Sequence, residues 1–133
     1  MPATHQSQGS DMGLFGGLLG WEADDDRLPD SGEWLKKTGI DLEFEYGNYG
    51  DAHPNTYRLT LKNNTRELQV IAISTGGGMF EIVEINGAKV SIGGDFDETL
   101  VWVSDQFDDL DPQTLCDELG ADQVSISNGN DLT

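Results

Sequence analysis

His53, Asn55 and Thr56 are the residues of this chain best suited to hold a small polar ligand. They put an imidazole, an amide and a hydroxyl into one short loop, bounded by Gly47, Gly50 and Pro54. Loops between strands are where site residues tend to be carried. The same residues also suit a plain turn, with Asn55 bonding its own backbone, and the two readings stand side by side. Farther on, Ser74 leads into Gly76-Gly77-Gly78. A triglycine can be a strand-to-strand turn at positive φ, or a nest of backbone N–H groups that holds a carboxylate or phosphate. It is not a P-loop, because no Lys-Ser/Thr pair follows, and it lacks the spacing of a dinucleotide fingerprint.

No catalytic residue is assigned. One loop histidine among many aspartates permits a Ser/His/Asp set on paper without specifying one. The 25 acidic side chains leave a carboxylate pair equally unconstrained. Asp24-Asp25-Asp26 lacks the alternating acidic spacing of a calcium loop, so a solvated charged loop is expected there and no metal site. Cys116 lies at helical spacing beside Leu115 and Leu119, which suits core or boundary packing better than a nucleophile.

The elements that must position these residues centre on the run from Val70 to Gly87. Val70, Ile71 and Ile73 favour a pleated surface. Phe80, Ile82 and Val83-Ile85 alternate with Glu81 and Glu84, close to a period of two. Asn86-Gly87 suits a type I′ turn, and Lys89–Ile92 would return as a strand. Upstream, Tyr57–Lys62 and Arg66–Ser74 read as a hairpin about Asn63-Asn64-Thr65. Ile40–Tyr46 alternates cleanly and reads as another strand with Ile40, Leu42, Phe44 and Tyr46 on the core face; Thr99–Val103 reads as a final one. Ser10 or Asp11 is expected to cap a helix through Leu19, with Leu14, Phe15, Leu18 and Leu19 as its apolar stripe. Its glycines would allow close approach of a neighbour. A second helix spans roughly Gly32–Thr38, with Trp34 and Leu35 inward and Gly39 as its stop. Asp111-Pro112 starts a third, Gln113–Leu119, ended by Gly120. Val124-Ser125-Ile126 is a candidate short strand, and 127–133 read as disordered. These elements predict an α+β (α/β-type) fold: a mixed sheet of five to six strands with two or three short helices packed on it. The organisation expected is a disordered segment at 1–9, a domain at 10–103 and a divergent C-terminal tail with a short helix at 104–133.

With 133 residues the chain is long enough for one domain with its own core. Its formal net charge is −18, from 25 acidic against 7 basic side chains. That balance excludes nucleic acid as a general partner, since phosphate would be repelled, and argues against an anionic membrane surface. No run approaches a membrane span, and no basic leader opens the chain, so a cytoplasmic location is the default expectation. A single cysteine excludes an internal disulfide and any iron–sulfur cluster held by this chain alone.

Three stretches in register resemble the β chain, or β domain, of iron–sulfur L-serine dehydratases (L-serine ammonia-lyases). They are Gly9-Ser10-Asp11 with Gly17–Trp21 and Asp25–Asp30; Ala52-His53-Pro54-Asn55-Thr56, which matches an HPNT motif; and Ile73–Gly78 with Glu81-Ile82 and Glu84–Gly87. Order and spacing agree over residues 9–103. The resemblance implies an allosteric substrate-binding domain, an α/β fold that is regulatory and not catalytic alone. It implies as partner a separate catalytic α chain, whose 4Fe–4S cluster acts on the L-serine hydroxyl as L-serine is converted to pyruvate and ammonia. It further implies that His53 and Asn55 lie at the face between regulatory and catalytic parts. The ligand or interface set is then His53, Asn55, Thr56, Ser74, Gly76, Gly77 and Gly78. A stand-alone module binding another small anion or amino acid, and a self-associating homodimer, are the other readings. The chain is expected to begin partway into such a domain, with Gln8 in place of the family's histidine, and without a following ACT domain.

Overall fold

A computed structural model describes residues 9–45, 47, 50–103 and 110–130. The expected disorder at residues 1–8 and 131–133, and the core position of Tyr46, lie outside them. The chain divides into two compact units, Met1–Tyr49 and Gly50–Thr133.

The first unit is helical. Helix α1 spans Ser10–Leu18. Its cap position is Gly9, at φ 72° and without a side-chain bond, so the expected cap by Ser10 or Asp11 is corrected. Gly20, at φ 73°, ends the helix as a Schellman cap. There Trp21 N–H reaches Gly16 O at 2.9 Å and Gly20 N–H reaches Gly17 O at 3.0 Å. Gly16 is the buried residue of α1, and a Cβ there would sit 2.3 Å from Leu28 Cδ2. The close approach that the glycines allow is thus to the 3₁₀ turn Leu28–Asp30. That turn runs directly into α2, Ser31–Lys37, whose last turn carries Lys36 and Lys37 against the negative end of the helix dipole. Leu35 is inward and 3% exposed. Trp34, expected inward, is 43% exposed, with Trp21 edge-on to it at 6.1 Å and Lys37 Nζ 4.8 Å from its ring centre.

Ile40–Glu45 forms no strand. Alternation alone does not make a strand, because strand preference is largely packing and pairing in context, and no ladder partner is present for this segment among the described residues. Its apolar residues instead line a shallow cleft with Phe15 and Leu35, the Phe15 and Phe44 rings lying 5.9 Å apart.

In the intervening loop Asp25 accepts from Arg27 N–H and Nε–H, each at 2.9 Å, and from Nη2–H at 2.6 Å. Those bonds hold the Asp25 carboxyl down at about 2. A carboxyl depressed in the folded state adds stability above its unfolded value, lost as pH falls through the folded one. The Asp25 carboxyl resonance should therefore titrate near 2 by NMR, and return toward the ordinary value of about 4 in Arg27→Ala. An unchanged midpoint in that variant would show that Arg27 is not the cause.

The second unit is a four-stranded antiparallel sheet in the order β1-β2-β3-β4: Thr56–Lys62, Glu67–Gly76, Met79–Ile85 and Ala88–Ile92. The α+β class stands, while the sheet has fewer strands than expected and is antiparallel throughout, not mixed. Thr99–Val103 is not a strand, with Val101 71% exposed, and neither is Val124–Ile126. The β1–β2 turn is closed by Asn63 Oδ1, which accepts from Thr65 N–H at 2.9 Å and Arg66 N–H at 2.8 Å. Gly77 and Gly78, at φ 62° and 82°, make the β2–β3 turn.

The sequence Glu81-Ile82-Val83-Glu84-Ile85 breaks strict alternation at Ile82-Val83, and the register shifts between Ile82 and Glu84. A bulge there inserts one residue. Ile82 and Ile85 therefore share a face with Val70 and Ala72, while Glu81 and Glu84 share the other with Ile71 and Ile73. On that second face Glu84 pairs with Lys89, and Glu81 Oε1 accepts from Ser91 Oγ–H at 2.7 Å.

Asn86, at φ 47°, and Gly87, at φ 81°, form the expected type I′ turn. Asn86 is 8% exposed because it joins three segments. Its N–H donates to Gln69 O at 2.9 Å, its Oδ1 accepts from Gln69 N–H at 2.7 Å, and its O accepts from Asn130 N–H at 2.5 Å. Residues 127–130, expected to be disordered, are thus tied to the β3–β4 turn, and Ser127 Oγ–H also donates to Lys89 O at 2.7 Å. Asn86→Ala leaves Gln69 N–H unpaired and should cost about 1–3 kcal/mol, measured by urea denaturation. Asn86→Asp keeps the acceptor and tolerates positive φ, so its loss should be smaller. Equal losses would rule out the Gln69 bond as the reason.

Helix α3, Pro112–Leu119, starts as expected. Asp111 caps it by accepting from Thr114 Oγ–H at 2.8 Å and Thr114 N–H at 2.9 Å, bonds that in that order lower its pKa, and Gly120 ends it at φ 65°. Cys116 is half-buried, a boundary position as anticipated.

Candidate functional site

The loop that holds His53 closes on itself before it meets the sheet. Asn55 N–H donates to His53 Nδ1 at 3.2 Å, and Thr56 Oγ–H donates to His53 O at 2.6 Å. With Nδ1 occupied as an acceptor, the neutral ring carries its proton on Nε2, the atom then available to an anionic oxygen. Pro54 has no N–H to lose in this turn. The imidazole is half-buried, Asn55 is exposed and Thr56 half-buried.

Ser74 N–H then donates to Asn55 O at 2.9 Å, extending the β1–β2 ladder by one pair beyond Thr56 and Ile73. Ser74 in turn lies opposite Phe80 on β3. Asn55, Ser74 and Phe80 thus form one cross-strand row at the end of the sheet, and Phe80 is 51% exposed there. Thr56 belongs to the opposite face by alternation.

The structure therefore brings together His53, Asn55, Thr56 and Ser74 through one backbone bond, Ser74 to Asn55, and two bonds between side chain and backbone about His53. The glycines are set apart. Gly76 pairs with Met79 and the turn residues lie beyond it, all exposed, so Gly77 stands roughly 10 Å from Ser74 at strand rise. The backbone there is that of a hairpin turn.

Sequence reasoning missed Arg58 and Asp51. Arg58 follows Thr56 by two positions, and so shares its face of the sheet. Its guanidinium forms an ion pair with Asp51, two residues before His53, and Nε lies 3.5 Å from Asp51 Oδ2. The Asp51 carboxylate raises the Arg58 pKa. This pair ties the start of the His53 loop to β1. The signal was present only as an Asp and an Arg flanking the HPNT motif, in a chain with 7 basic residues.

What the arrangement offers a ligand at one sheet end is an imidazole, an amide and the Ser74 hydroxyl, the Thr56 hydroxyl being on the other face and bonded to His53 O. Among the described residues no three of His, Cys, Asp and Glu come together as metal ligands. One thiol does not supply the three or four thiolates of an iron–sulfur cluster. No helix among the described residues is long and apolar enough to cross a membrane.

No protein-family profile matches the sequence, and no solved structure matches it. Two curated proteins do. The chain is 35% identical over 104 residues to the "Probable L-serine dehydratase, beta chain" of Bacillus subtilis, covering 78% of this chain and 47% of that protein. It is 38% identical over 105 residues to the "L-serine dehydratase, beta chain" of Peptoniphilus asaccharolyticus, covering 77% of this chain and 47% of that one. The chain spans about half the length of these relatives. The resemblance drawn from the three motifs is therefore borne out: over more than three-quarters of its length this chain is similar to proteins named as L-serine dehydratase β chains.

Proposed function

We propose that the chain is an L-serine-sensing β component of a cytoplasmic serine dehydratase, acting with a separate catalytic α chain. Similarity to proteins named as β chains carries this reading, since a β chain implies an α chain. The closed HPNT loop, bonded to Ser74 at the sheet end, supports it with a place for a small amino acid. His53 Nε2–H would meet the ligand carboxylate, while the Asn55 amide and the Ser74 hydroxyl would meet its other polar groups; Thr56, on the other face, would hold the loop closed through its bond to His53 O. Gly76, Gly77 and Gly78 would belong to the face met by the partner. The 4Fe–4S chemistry of L-serine deamination would reside in the α chain, since the residues here do not fit a cluster.

The test is a thermal-shift titration in molar potassium chloride against L-serine, D-serine and phosphate. At 100 times its dissociation constant a ligand adds about 2.7 kcal/mol. An L-serine-specific rise in Tm that disappears in His53→Ala, with the ligand-free Tm little changed, is the expected result. No rise with any ligand, both alone and with the purified α chain, would overturn the sensing role. A rise with phosphate alone would replace it by a small-anion module of the same fold.

A further inference from the structure

We infer that the β1 edge of the sheet is a pairing surface for a second copy of this chain, in one defined register. The two edges of the sheet differ. At β4 the outward Lys89 carbonyl is taken by Ser127 Oγ–H, and Gly129 packs so tightly that a Cβ would lie 2.9 Å from Asn86 O and 3.0 Å from Ala88 Cβ. At β1 no described residue forms a backbone bond on the outer side of Arg58 or Thr60.

Which groups point outward follows from the ladder. Asn55 with Ser74 and Asn63 with Arg66 are hydrogen-bonded pairs at its two ends, and the register between them is unbroken. Antiparallel pairs alternate between bonded and non-bonded, so Tyr57, Leu59 and Leu61 also turn their backbone groups toward β2. Thr56, Arg58, Thr60 and Lys62 turn theirs outward.

A two-fold antiparallel pairing of β1 with its copy must join outward groups to outward groups. Centred on Leu59, it places Arg58 opposite Thr60 and Thr56 opposite Lys62, and uses every outward group. The next register toward the N-terminus opposes Arg58 to its own copy; the next toward the C-terminus opposes Arg58 to Lys62. Directly opposed like charges are destabilising, so of these three registers only the Leu59-centred one is free of them, and registers shifted farther leave more of the outward groups unpaired. It also places Leu59 against Leu59, and Tyr57 against Leu61, in non-bonded pairs, where side chains approach most closely. Tyr57 is 46% and Leu61 39% exposed, on the face that carries Leu68, Val70 and Ala72. Pairing would thus continue the apolar face of one sheet into the other.

Sedimentation velocity in molar potassium chloride, over roughly 1–200 µM, tests this on the full chain, where screening shortens the repulsion between copies to about 3 Å. The wild type should show a monomer–dimer equilibrium. Thr60→Pro removes an outward N–H without touching β2, as edge strands tolerate, and should leave only monomer with an unchanged circular dichroism spectrum. Thr60→Glu faces Arg58 twice in the dimer and should tighten it roughly threefold to thirtyfold, while Thr60→Arg should weaken it as much. General repulsion between such acidic chains predicts the opposite order for the two charged variants. Monomer throughout, or a dimer that follows that opposite order, would overturn the inference.

Discussion

Truncation of Ile85 to alanine should lower stability by about 2–5 kcal/mol, the usual cost of removing buried aliphatic carbons and leaving a cavity. Ile85 is 7% exposed and sits opposite Val70 on β2 and Ala88 on β4, at the centre of the apolar face. Most of its neighbours on that face are only half-buried. The loss is therefore concentrated at one side chain. Ile85→Val should cost only about 0.5–1.5 kcal/mol, and Val90→Ala, at a half-buried position, less than Ile85→Ala. Urea denaturation followed by circular dichroism, in molar salt, reads these differences. A cost below about 1 kcal/mol for Ile85→Ala would mean that the sheet does not close around this residue. Leu35→Ala is the matching experiment on the helical unit, where Leu35 is 3% exposed.

Raising potassium chloride from about 0.1 M to 2 M should raise the melting temperature by on the order of 10 °C, because screening shortens the reach of charge repulsion from about 10 Å to a few ångströms. Two effects oppose each other. Salt weakens the ion pairs Arg27–Asp25, Arg58–Asp51, Lys62–Glu67 and Lys89–Glu84. These lie at the surface, where such pairs contribute at most about 1 kcal/mol each. Against them stands the self-repulsion of a chain with net charge −18. With 7 basic side chains against 25 acidic ones, the chain's cations cannot offset most of its carboxylates. Repulsion should win. The same rise in sodium chloride would identify screening as the cause, whereas a flat or falling melting temperature would show that the pairs outweigh it.

Local chemistry was legible at most turns and helix ends, though not at the start of α1, where Gly9 and no side chain holds the cap position. The Asn86-Gly87 turn, the Gly39 and Gly120 helix ends and the Asp111 cap follow from residues that favour one conformation or one local bond, with no distant partner required. The hairpins were legible for the same reason, since strands adjacent in sequence pair across short turns. The segments Ile40–Glu45 and Thr99–Val103 were not, because a strand exists only when another backbone accepts its hydrogen bonds. Apolar alternation is equally satisfied by lining a cleft, as Phe44 does beside Phe15. Trp34 shows the same limit on a helix. Its spacing fits an inward face, yet it lies over Lys37 and beside Trp21 with 43% of its surface exposed.

By itself the sequence determined the charge, the single thiol, the turn chemistry and the three motifs that mark its similarity to the L-serine dehydratase β chains. Only the tertiary structure decided which of the motif residues meet. A backbone bond from Ser74 to Asn55 brings the HPNT loop, itself closed by local bonds about His53, to a residue far along the chain, while the triglycine, close to Ser74 in sequence, is carried past it to the hairpin tip. The register of β1 against β2 makes that choice, and register is a property of paired backbones that no one strand contains.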